Sequence, residues 1–290
     1  MKKLITLLAA LTLTLSLGLS LVACGGSKVV DDEKKITEAG VIKIGMECNY
    51  KPFNWTQNDD SNGAVPISNV SGKYAYGYDV MIAKEIAKDL GVNLEIVMLE
   101  WDALLASLDS GLIDGVIAGM SPTAERRLTN DFSDPYYSSN LVVLCKAGST
   151  ISTATNLTDL NKPDYKIAAQ SGTFHYKALS EQLSGCTVTR VETFALMHSQ
   201  LDSNLIDGYI AELPTALTYC HDSSDYAYVA LVNNDTGFTV TDDDVAIAVA
   251  MRKKTNYLGK VNAALAKITA EQRAQMMETA IALQATGLDL

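Results

Sequence analysis

Residues 108–118 read Leu-Asp-Ser-Gly-Leu-Ile-Asp-Gly-Val-Ile-Ala, and residues 201–211 read Leu-Asp-Ser-Asn-Leu-Ile-Asp-Gly-Tyr-Ile-Ala. Nine of the eleven positions are identical at an offset of 93 residues, and Trp101 and Phe194 keep the same offset upstream. Each copy has the pattern of a helix end, a turn and a strand. The offset is too long for a solenoid, whose repeats span roughly 20–50 residues. The repeat therefore predicts two similar lobes.

The chain around the repeat alternates short β-rich runs with helical patterns. Strands are predicted at 41–46, 92–99, 113–118, 166–169, 186–191 and 206–211. Helices are predicted at 78–90, 101–108, 173–183, 194–201 and 212–219. Strands that alternate with helices are typical of parallel sheets. The predicted fold class is α/β, with two Rossmann-like lobes.

Composition narrows the possible functions. The chain has 290 residues, of which 48% are apolar and 20% charged, and its formal net charge is −11. Apolar content of this size excludes wholesale disorder and suffices for one or two packed domains. An acidic chain lacks the basic stripe that phosphate backbones attract, so we expect no nucleic-acid partner.

The first residues have the layout of an export signal. A positive Met1-Lys2-Lys3 precedes residues 4–23, which carry no charge, and Leu21-Val22-Ala23-Cys24-Gly25-Gly26 resembles the bacterial lipobox. We interpret 1–23 as a lipoprotein signal peptide, Cys24 as the lipidated residue and 24–35 as a flexible tether. The protein would then lie outside the cytoplasm, attached to the cell membrane by a lipid anchor alone.

The other four cysteines match no metal-binding spacing; they are Cys48, Cys145, Cys186 and Cys220. We interpret them as small buried apolar residues rather than disulfide partners, and leave their pairing open. No metal or cofactor is expected.

Candidate binding residues follow the predicted strands, at whose carboxyl ends α/β sheets hold their ligands. Gly119 and Glu212 follow the two repeated strands and are again 93 residues apart, so facing lobes would bring them into one cleft. Ser121 before Pro122 predicts a helix start with Arg126 on its first turn, a combination that suits a carboxylate. An ordinary cap beside a surface arginine explains these residues equally well.

Three further segments carry weaker signals. The turn Gln170-Ser171-Gly172-Thr173 opens a predicted helix and can accept an anion. Glu212 could bind an ammonium group or simply stabilise a helix start. The loop 47–55 is rich in aromatic residues, which either pack in the core or stack on a ligand.

Taken together, these segments resemble the bacterial extracellular amino-acid-binding proteins of family 3, receptors of ABC importers for polar amino acids. The resemblance covers roughly residues 36–283 and is most specific from Ser110 to Tyr137. The motifs that carry it are Tyr50-Lys51-Pro52-Phe53, Gly77-Tyr78-Asp79-Val80, Trp101-Asp102-Ala103-Leu104-Leu105, Gly119-Met120-Ser121-Pro122-Thr123-Ala124-Glu125-Arg126, Asp131-Phe132-Ser133-Asp134-Pro135-Tyr136-Tyr137 and Gln170-Ser171-Gly172-Thr173.

The resemblance implies a type II periplasmic-binding fold with two chain crossings at a hinge. Lobe 1 would comprise 36–140 and 247–290, and lobe 2 would comprise 141–246. A monomer would close over a free amino acid and deliver it to permease subunits. Two alternatives remain, namely a sensor lipoprotein or a dehydratase-like enzyme on the same scaffold, although we expect no enzymatic activity.

The resemblance also implies residue roles. Arg126 would bind the ligand's α-carboxylate with help from Ser121 and Thr173, and Glu212 would bind the α-ammonium where the family usually has Asp. Tyr50 and Trp101 would sandwich the side chain of the ligand, and Glu47 would meet a cation on that side chain. His175 would be a specificity contact, and Gly119 would lie in the cleft. These residues favour arginine or lysine, or else glutamine or histidine, and the choice stays open.

Overall fold

The computed structural model describes residues 31–221 and 223–284. The predicted signal peptide and Cys24 lie outside these residues. Among the described helices, none combines the length and the apolar content that a membrane span requires.

The secondary structure alternates as the α/β class requires. The strands are β1 (Val41–Met46), β2 (Asn49–Tyr50), β3 (Asn54–Gln57), β4 (Val65–Pro66), β5 (Tyr74–Tyr76), β6 (Asn93–Met98), β7 (Gly115–Val116), β8 (Asn130–Phe132), β9 (Tyr137–Ser138), β10 (Leu141–Lys146), β11 (Lys166–Gln170), β12 (Thr187–Val191), β13 (Gly208–Glu212), β14 (Tyr226–Val229), β15 (Ala246–Ile247) and β16 (Ala250–Arg252). The α-helices are Asp32–Ala39, Tyr78–Leu90, Leu104–Asp109, Ala124–Thr129, Leu157–Leu160, Phe174–Gln182, Phe194–Asp202, Leu213–His221, Asp242–Val245, Leu258–Ala266 and Ala270–Gln284.

Two five-stranded sheets with the same topology form the two lobes. Their strand orders are β6-β1-β7-β16-β8 and β12-β11-β13-β10-β14. In each sheet the first three strands are parallel and the last two join antiparallel. The repeated strands β7 and β13 occupy the same central position in their sheets, as the repeat predicts.

The chain crosses between the lobes twice, and each crossing leads into a strand of the sheet that it enters. Strand β10 follows the first crossing, and β16 follows the second. The crossings themselves pair as a two-stranded sheet, with Tyr137 opposite Ile247 and Ser138 opposite Ala246. Two adjacent crossings are the geometry of a hinge. The predicted lobe limits at 140/141 and 246/247 fall beside this pair and stay predictions.

The predicted tether is corrected at its end. A helix begins at Asp32, capped by Asp31, whose side chain accepts from the Lys34 amide at 3.2 Å. Asp32 is buried against Arg252, whose guanidinium donates to it and, at 3.1 Å, to Asp114. Local composition favoured a flexible segment, but this long-range ion pair fixes it to lobe 1.

One predicted strand and one predicted helix differ from the structure. The first repeated strand is only Gly115–Val116, although 113–118 was predicted. The helix predicted at 101–108 divides into a 3₁₀ turn over Trp101–Ala103 and an α-helix over Leu104–Asp109. Hydrophobic pattern marks buried positions, whereas a strand also needs a partner within hydrogen-bonding reach.

The four described cysteines are unpaired thiols. Cys48 and Cys145 are buried, and Cys186 and Cys220 are partly buried. Burial raises the pKa of Cys48 to about 12 and that of Cys145 to about 11. These two thiols are therefore protonated and unreactive at neutral pH.

Candidate functional site

The parallel strands of both lobes end at one interlobe cleft. Glu47 follows β1, and Gly119 follows β7, while Gln170 and Glu212 are the last residues of β11 and β13. Side chains from these ends line a cleft with about 310 Å³ of empty space, a volume that includes open solvent. The cavity is lined by Tyr50, Trp101, Ala118, Gly119, Ser121, Arg126, Gln170, Thr173, Phe174, His175, Phe194 and Glu212.

Arg126 spans the cleft. Its Nη1 donates to the Ser121 carbonyl at 2.9 Å, and its Nη2 donates to the Gly172 carbonyl of the other lobe at 3.3 Å. Its guanidinium lies 5.1 Å from the Trp101 ring centroid. Burial lowers the pKa of Arg126 to about 10, so it remains a cation at neutral pH. Few side chains are better suited to a carboxylate.

The predicted cap of this helix is wrong. The helix spans Ala124–Thr129, and Thr123 rather than Ser121 caps it by accepting from the Arg126 amide at 3.4 Å. Ser121 and Pro122 belong to the loop before it, and Ser121 is buried beside the cavity. Both Ser and Thr are good caps, and the tertiary course of the loop selects between them.

Glu212 and His175 form a buried pair in lobe 2. Glu212 Oε1 lies 3.0 Å from His175 Nε2, and the two residues are 5% and 6% exposed. Burial raises the pKa of Glu212 to about 8. Burial, with the nearby Arg126 charge, lowers the pKa of His175 to about 4. His175 is thus neutral at pH 7, and it lines the cavity beside Glu212.

Glu47 lies just beyond the residues that line the cavity. Its Oε1 accepts from Gln170 Nε2 across the cleft at 2.9 Å, and Gln170 also donates to the Glu192 carbonyl at 3.0 Å. Burial raises the pKa of Glu47 to about 8 despite the Gln170 bond, and the charges of Glu100 and Asp102 add to the rise. The surroundings of Glu47 therefore favour an incoming cation.

Tyr50 and Trp101 make different contacts at the cavity, and their sandwich of a ligand side chain stays a prediction. Tyr50 stacks on Phe194 of the opposite lobe, with ring centroids 4.0 Å apart, and on Phe53 at 5.0 Å. Trp101 instead donates from Nε1 to the Gly172 carbonyl at 3.2 Å. Tyr50 and Trp101 both line the cavity, but Phe194 covers one face of Tyr50.

Thr173 shapes the turn that faces Arg126. It caps the helix Phe174–Gln182 by accepting from the Tyr176 amide at 3.3 Å, and its hydroxyl donates to the Gln170 carbonyl at 2.7 Å. Gly172 before it has φ +67°. Such a left-handed residue favours glycine. The predicted turn is therefore present at the cleft, and its capacity to bind an anion stays a prediction.

Four cavity residues are not among the predicted candidates, namely Ala118, Gln170, Phe174 and Phe194. A signal for Phe194 was present, because it matches Trp101 at the repeat offset and the pair lies on opposite sides of one cavity. Gln170 was seen only as part of a turn. Its bond to Glu47 joins two lobes and leaves no trace in local sequence.

Several buried polar atoms around the cavity have no hydrogen-bond partner within the described residues. They are Glu47 Oε2, Glu212 Oε2, Tyr50 Oη and His175 Nδ1. An unsatisfied buried polar atom costs about 1–3 kcal/mol. The two carboxylates require donors and Arg126 accommodates an acceptor, so the site is complementary to a small molecule with both. In the part of the chain that the structure describes, no cluster of metal-ligating side chains is present.

The fold and site together define a two-lobed solute-binding protein. The family model of the bacterial extracellular solute-binding proteins, family 3, matches residues 42–280. The chain belongs to this family.

Similar proteins carry the names of amino-acid receptors. The arginine-binding extracellular protein ArtP of Bacillus subtilis is 29% identical over 91% of this chain and 92% of its own length. The L-cystine-binding protein TcyJ of Escherichia coli K12 is 31% identical over 72% of this chain and 74% of its own. A crystal structure of a Streptococcus pneumoniae amino acid ABC transporter substrate-binding protein bound to L-arginine has a TM-score of 0.75 at 28% identity and covers 87% of this chain and 98% of that one.

Proposed function

We propose that the protein is a receptor that closes over a free amino acid and delivers it to the permease subunits of an ABC importer. The observation that carries the proposal is the placement of Arg126 and Glu212 on opposite sides of one cavity. An α-carboxylate on Arg126 and an α-ammonium on Glu212 would satisfy both groups. Glu47, Tyr50, Trp101, Gly119, Ser121, Thr173 and His175 complete the proposed binding site.

We propose a cationic amino acid, arginine or lysine, as the ligand. Besides Glu212, the site buries a second carboxyl group in Glu47, and Arg126 supplies one positive charge at the cleft. An amino acid with a cationic side chain supplies two positive groups and one carboxylate, which balances these charges. Two of the similar proteins are named for, or bound to, arginine, whereas a third is named for cystine.

Thermal unfolding tests the function. Residues 27–290 would be melted with each of the twenty amino acids and with cystine. A ligand at 100 times its Kd stabilises the fold by about 2.7 kcal/mol, which gives a clear rise in Tm. We expect arginine or lysine to give the largest rise. A chain that responds to no amino acid would refute the receptor proposal.

Arg126→Ala is the matched binding variant. It leaves a buried carboxylate without its cation, which costs about 2–5 kcal/mol, so the amino-acid response should vanish. Arg127→Ala is the control, since it removes the same charge one residue away, where the side chain binds Asp243 at 2.9 Å. Equal responses of both variants would contradict the proposed role of Arg126.

We also propose that Cys24 carries the lipid anchor that keeps the receptor on the outer face of the cell membrane, or in a periplasm where an outer membrane exists. Cells grown with labelled palmitate should label the wild-type protein but not Cys24→Ser. Labelling of the variant would show that any lipid is attached elsewhere.

A further inference from the structure

Glu212 offers only one of its two oxygens to the cavity. Oε1 is held by His175 Nε2 at 3.0 Å, whereas Oε2 has no partner within the described residues. A carboxylate at the end of a Glu side chain rotates about three torsions. An interaction that fixes one oxygen therefore decides where the other one points.

His175 is itself fixed by its surroundings. It is the second residue of the helix Phe174–Gln182, and it is 6% exposed. The rings of Phe174 and Phe194 contact it edge-on, with centroids 6.3 and 6.2 Å away. These two rings and Glu212 hold the imidazole in place at the wall of the cavity.

We propose that His175 is a positioning residue that acts through Glu212, directing Glu212 Oε2 at the ligand's α-ammonium and so selecting α-amino acids over analogues that lack this group. The inference rests on the proposed function and deepens it. It replaces the predicted direct contact between His175 and the ligand by an indirect one.

A direct contact and an indirect one differ in their consequences. Loss of a group that packs against the whole ligand weakens every ligand alike. Loss of a group that orients Glu212 weakens only ligands with an ammonium, because Glu212 has nothing to bind in the others. The ratio of affinities for two matched ligands therefore separates the roles.

The probes are L-arginine and 5-guanidinopentanoic acid, which is arginine with hydrogen in place of the α-ammonium. Titration calorimetry would measure both against wild type, His175→Leu and His175→Gln. Leucine fills the space without a donor, and glutamine can place an amide nitrogen near the position of Nε2. His198→Leu is the control, because it removes a histidine of the same lobe that does not line the cavity.

We expect His175→Leu to weaken arginine at least tenfold and to change 5-guanidinopentanoic acid by less than threefold. His175→Gln should restore most of the arginine affinity, and His198→Leu should behave as wild type. Equal losses for both probes in His175→Leu, or no loss for either, would overturn the proposal.

A ligand-free measurement keeps this inference separate from the proposed function. Histidine ¹⁵N spectra at pH 9, above the pKa of Glu212, should show His175 as the Nε2–H tautomer, because Nε2 donates to the carboxylate. Its Nε2 resonance should move in Glu212→Leu, while that of His198 stays. A dominant Nδ1–H tautomer, or a resonance indifferent to Glu212→Leu, overturns the pairing even if arginine binds. Failure of wild type to bind any amino acid refutes the receptor function, and the spectra then decide the pairing.

Discussion

At the scale of single residues, the site is defined by buried groups whose charges do not cancel within each lobe. Glu47 and Glu212 are 2% and 5% exposed, and burial raises the pKa of both. A buried charge is costly unless it is paired. Both side chains would thus gain free energy from a bound cation, as the proposed ligand supplies.

Glu47→Gln should separate ligands by side-chain charge. The amide keeps the shape but removes the charge that would meet a guanidinium. We expect arginine affinity to fall at least tenfold, whereas the affinity for citrulline, its neutral isostere, should change by less than threefold. Titration calorimetry with both ligands gives the answer. Parallel losses would place Glu47 outside the side-chain subsite.

The stability of the ligand-free protein should fall as pH rises from 6.5 to 8. In this window the unfolded chain has already lost the protons of Glu47 and Glu212, whose ordinary pKa is 4.5, whereas the folded chain retains them up to pH 8. The folded state then binds more protons, so the free energy of unfolding decreases with pH. His175, with its pKa lowered to about 4, acts in the opposite sense but only below pH 6.5.

Urea unfolding at pH 6.5 and 8 measures this slope. Glu47→Gln/Glu212→Gln should flatten it, because neither amide titrates. Saturating arginine should also flatten it if the ligand requires both carboxylates to be ionised, because the folded and unfolded states then bind equal numbers of protons at these groups. A wild-type protein that gains stability from pH 6.5 to 8 would show that the carboxyl groups are ionised in the free protein.

At the scale of secondary-structure elements, a buried hydrogen-bond network positions the loop that carries Glu47 and Tyr50. Asp79, on the first turn of the helix Tyr78–Leu90, accepts from Asn54 Nδ2 at 2.8 Å and from Tyr136 Oη at 2.7 Å. Asn54 in turn accepts from the Cys48 amide at 2.8 Å. Asp79 thereby ties this loop to the segment that leads into the hinge strand β9.

Asp79→Ala should destabilise the protein by about 3 kcal/mol, since it leaves two buried donors without acceptors. Urea unfolding measures the loss. Glu85→Ala is the control on the same helix. Its side chain is 38% exposed and pairs with Lys88 at 3.2 Å, so it should cost less than about 0.5 kcal/mol. Equal costs would mean that the Asp79 network does not stabilise the loop.

At the scale of the whole molecule, lobe 1 contacts lobe 2 through its site residues. Trp101 and Arg126 both donate to the Gly172 carbonyl, and Gln170 donates to Glu47. A Cβ on Gly172 would lie 2.5 Å from Asp102 Oδ1 and 3.4 Å from Trp101 Cδ1. Gly172 is therefore the position at which a small side chain would oppose closure.

Gly172→Val should hold the lobes apart and weaken ligand binding at least tenfold. Spin labels on Leu112→Cys and Leu205→Cys, in a Cys186→Ser/Cys220→Ser background, would report the interlobe distance, because these exposed leucines occupy equivalent turns of the two lobes. Arginine should shorten this distance in the parent protein but not in Gly172→Val. Gly148→Val is the control, since it has a similar φ of +72° and nothing within 4 Å of an added Cβ. An unchanged distance in Gly172→Val would exclude a steric role in closure.

The sequence by itself determined the class of fold and named most of the polar and aromatic residues that line the interlobe cavity. The repeat predicted that β7 and β13 are equivalent strands, because the same residues give the same burial pattern and the same turn in both lobes. Of the candidate residues, all but Glu47 line one cavity, and Glu47 bonds to a lining residue. The candidates lie together because each follows a predicted strand in the chain, and the carboxyl ends of parallel strands meet at one edge of a sheet.

The tertiary structure decided which side chains meet. The cap at Thr123, the anchoring of Asp32 by Arg252, the stacking of Tyr50 on Phe194 and the pairing of His175 with Glu212 all join partners that local patterns do not relate. Such contacts depend on how two lobes and distant segments pack, and the free energy of each includes the desolvation of both partners. The chemistry of a side chain therefore follows from the sequence, whereas the residue that it contacts depends on the tertiary structure.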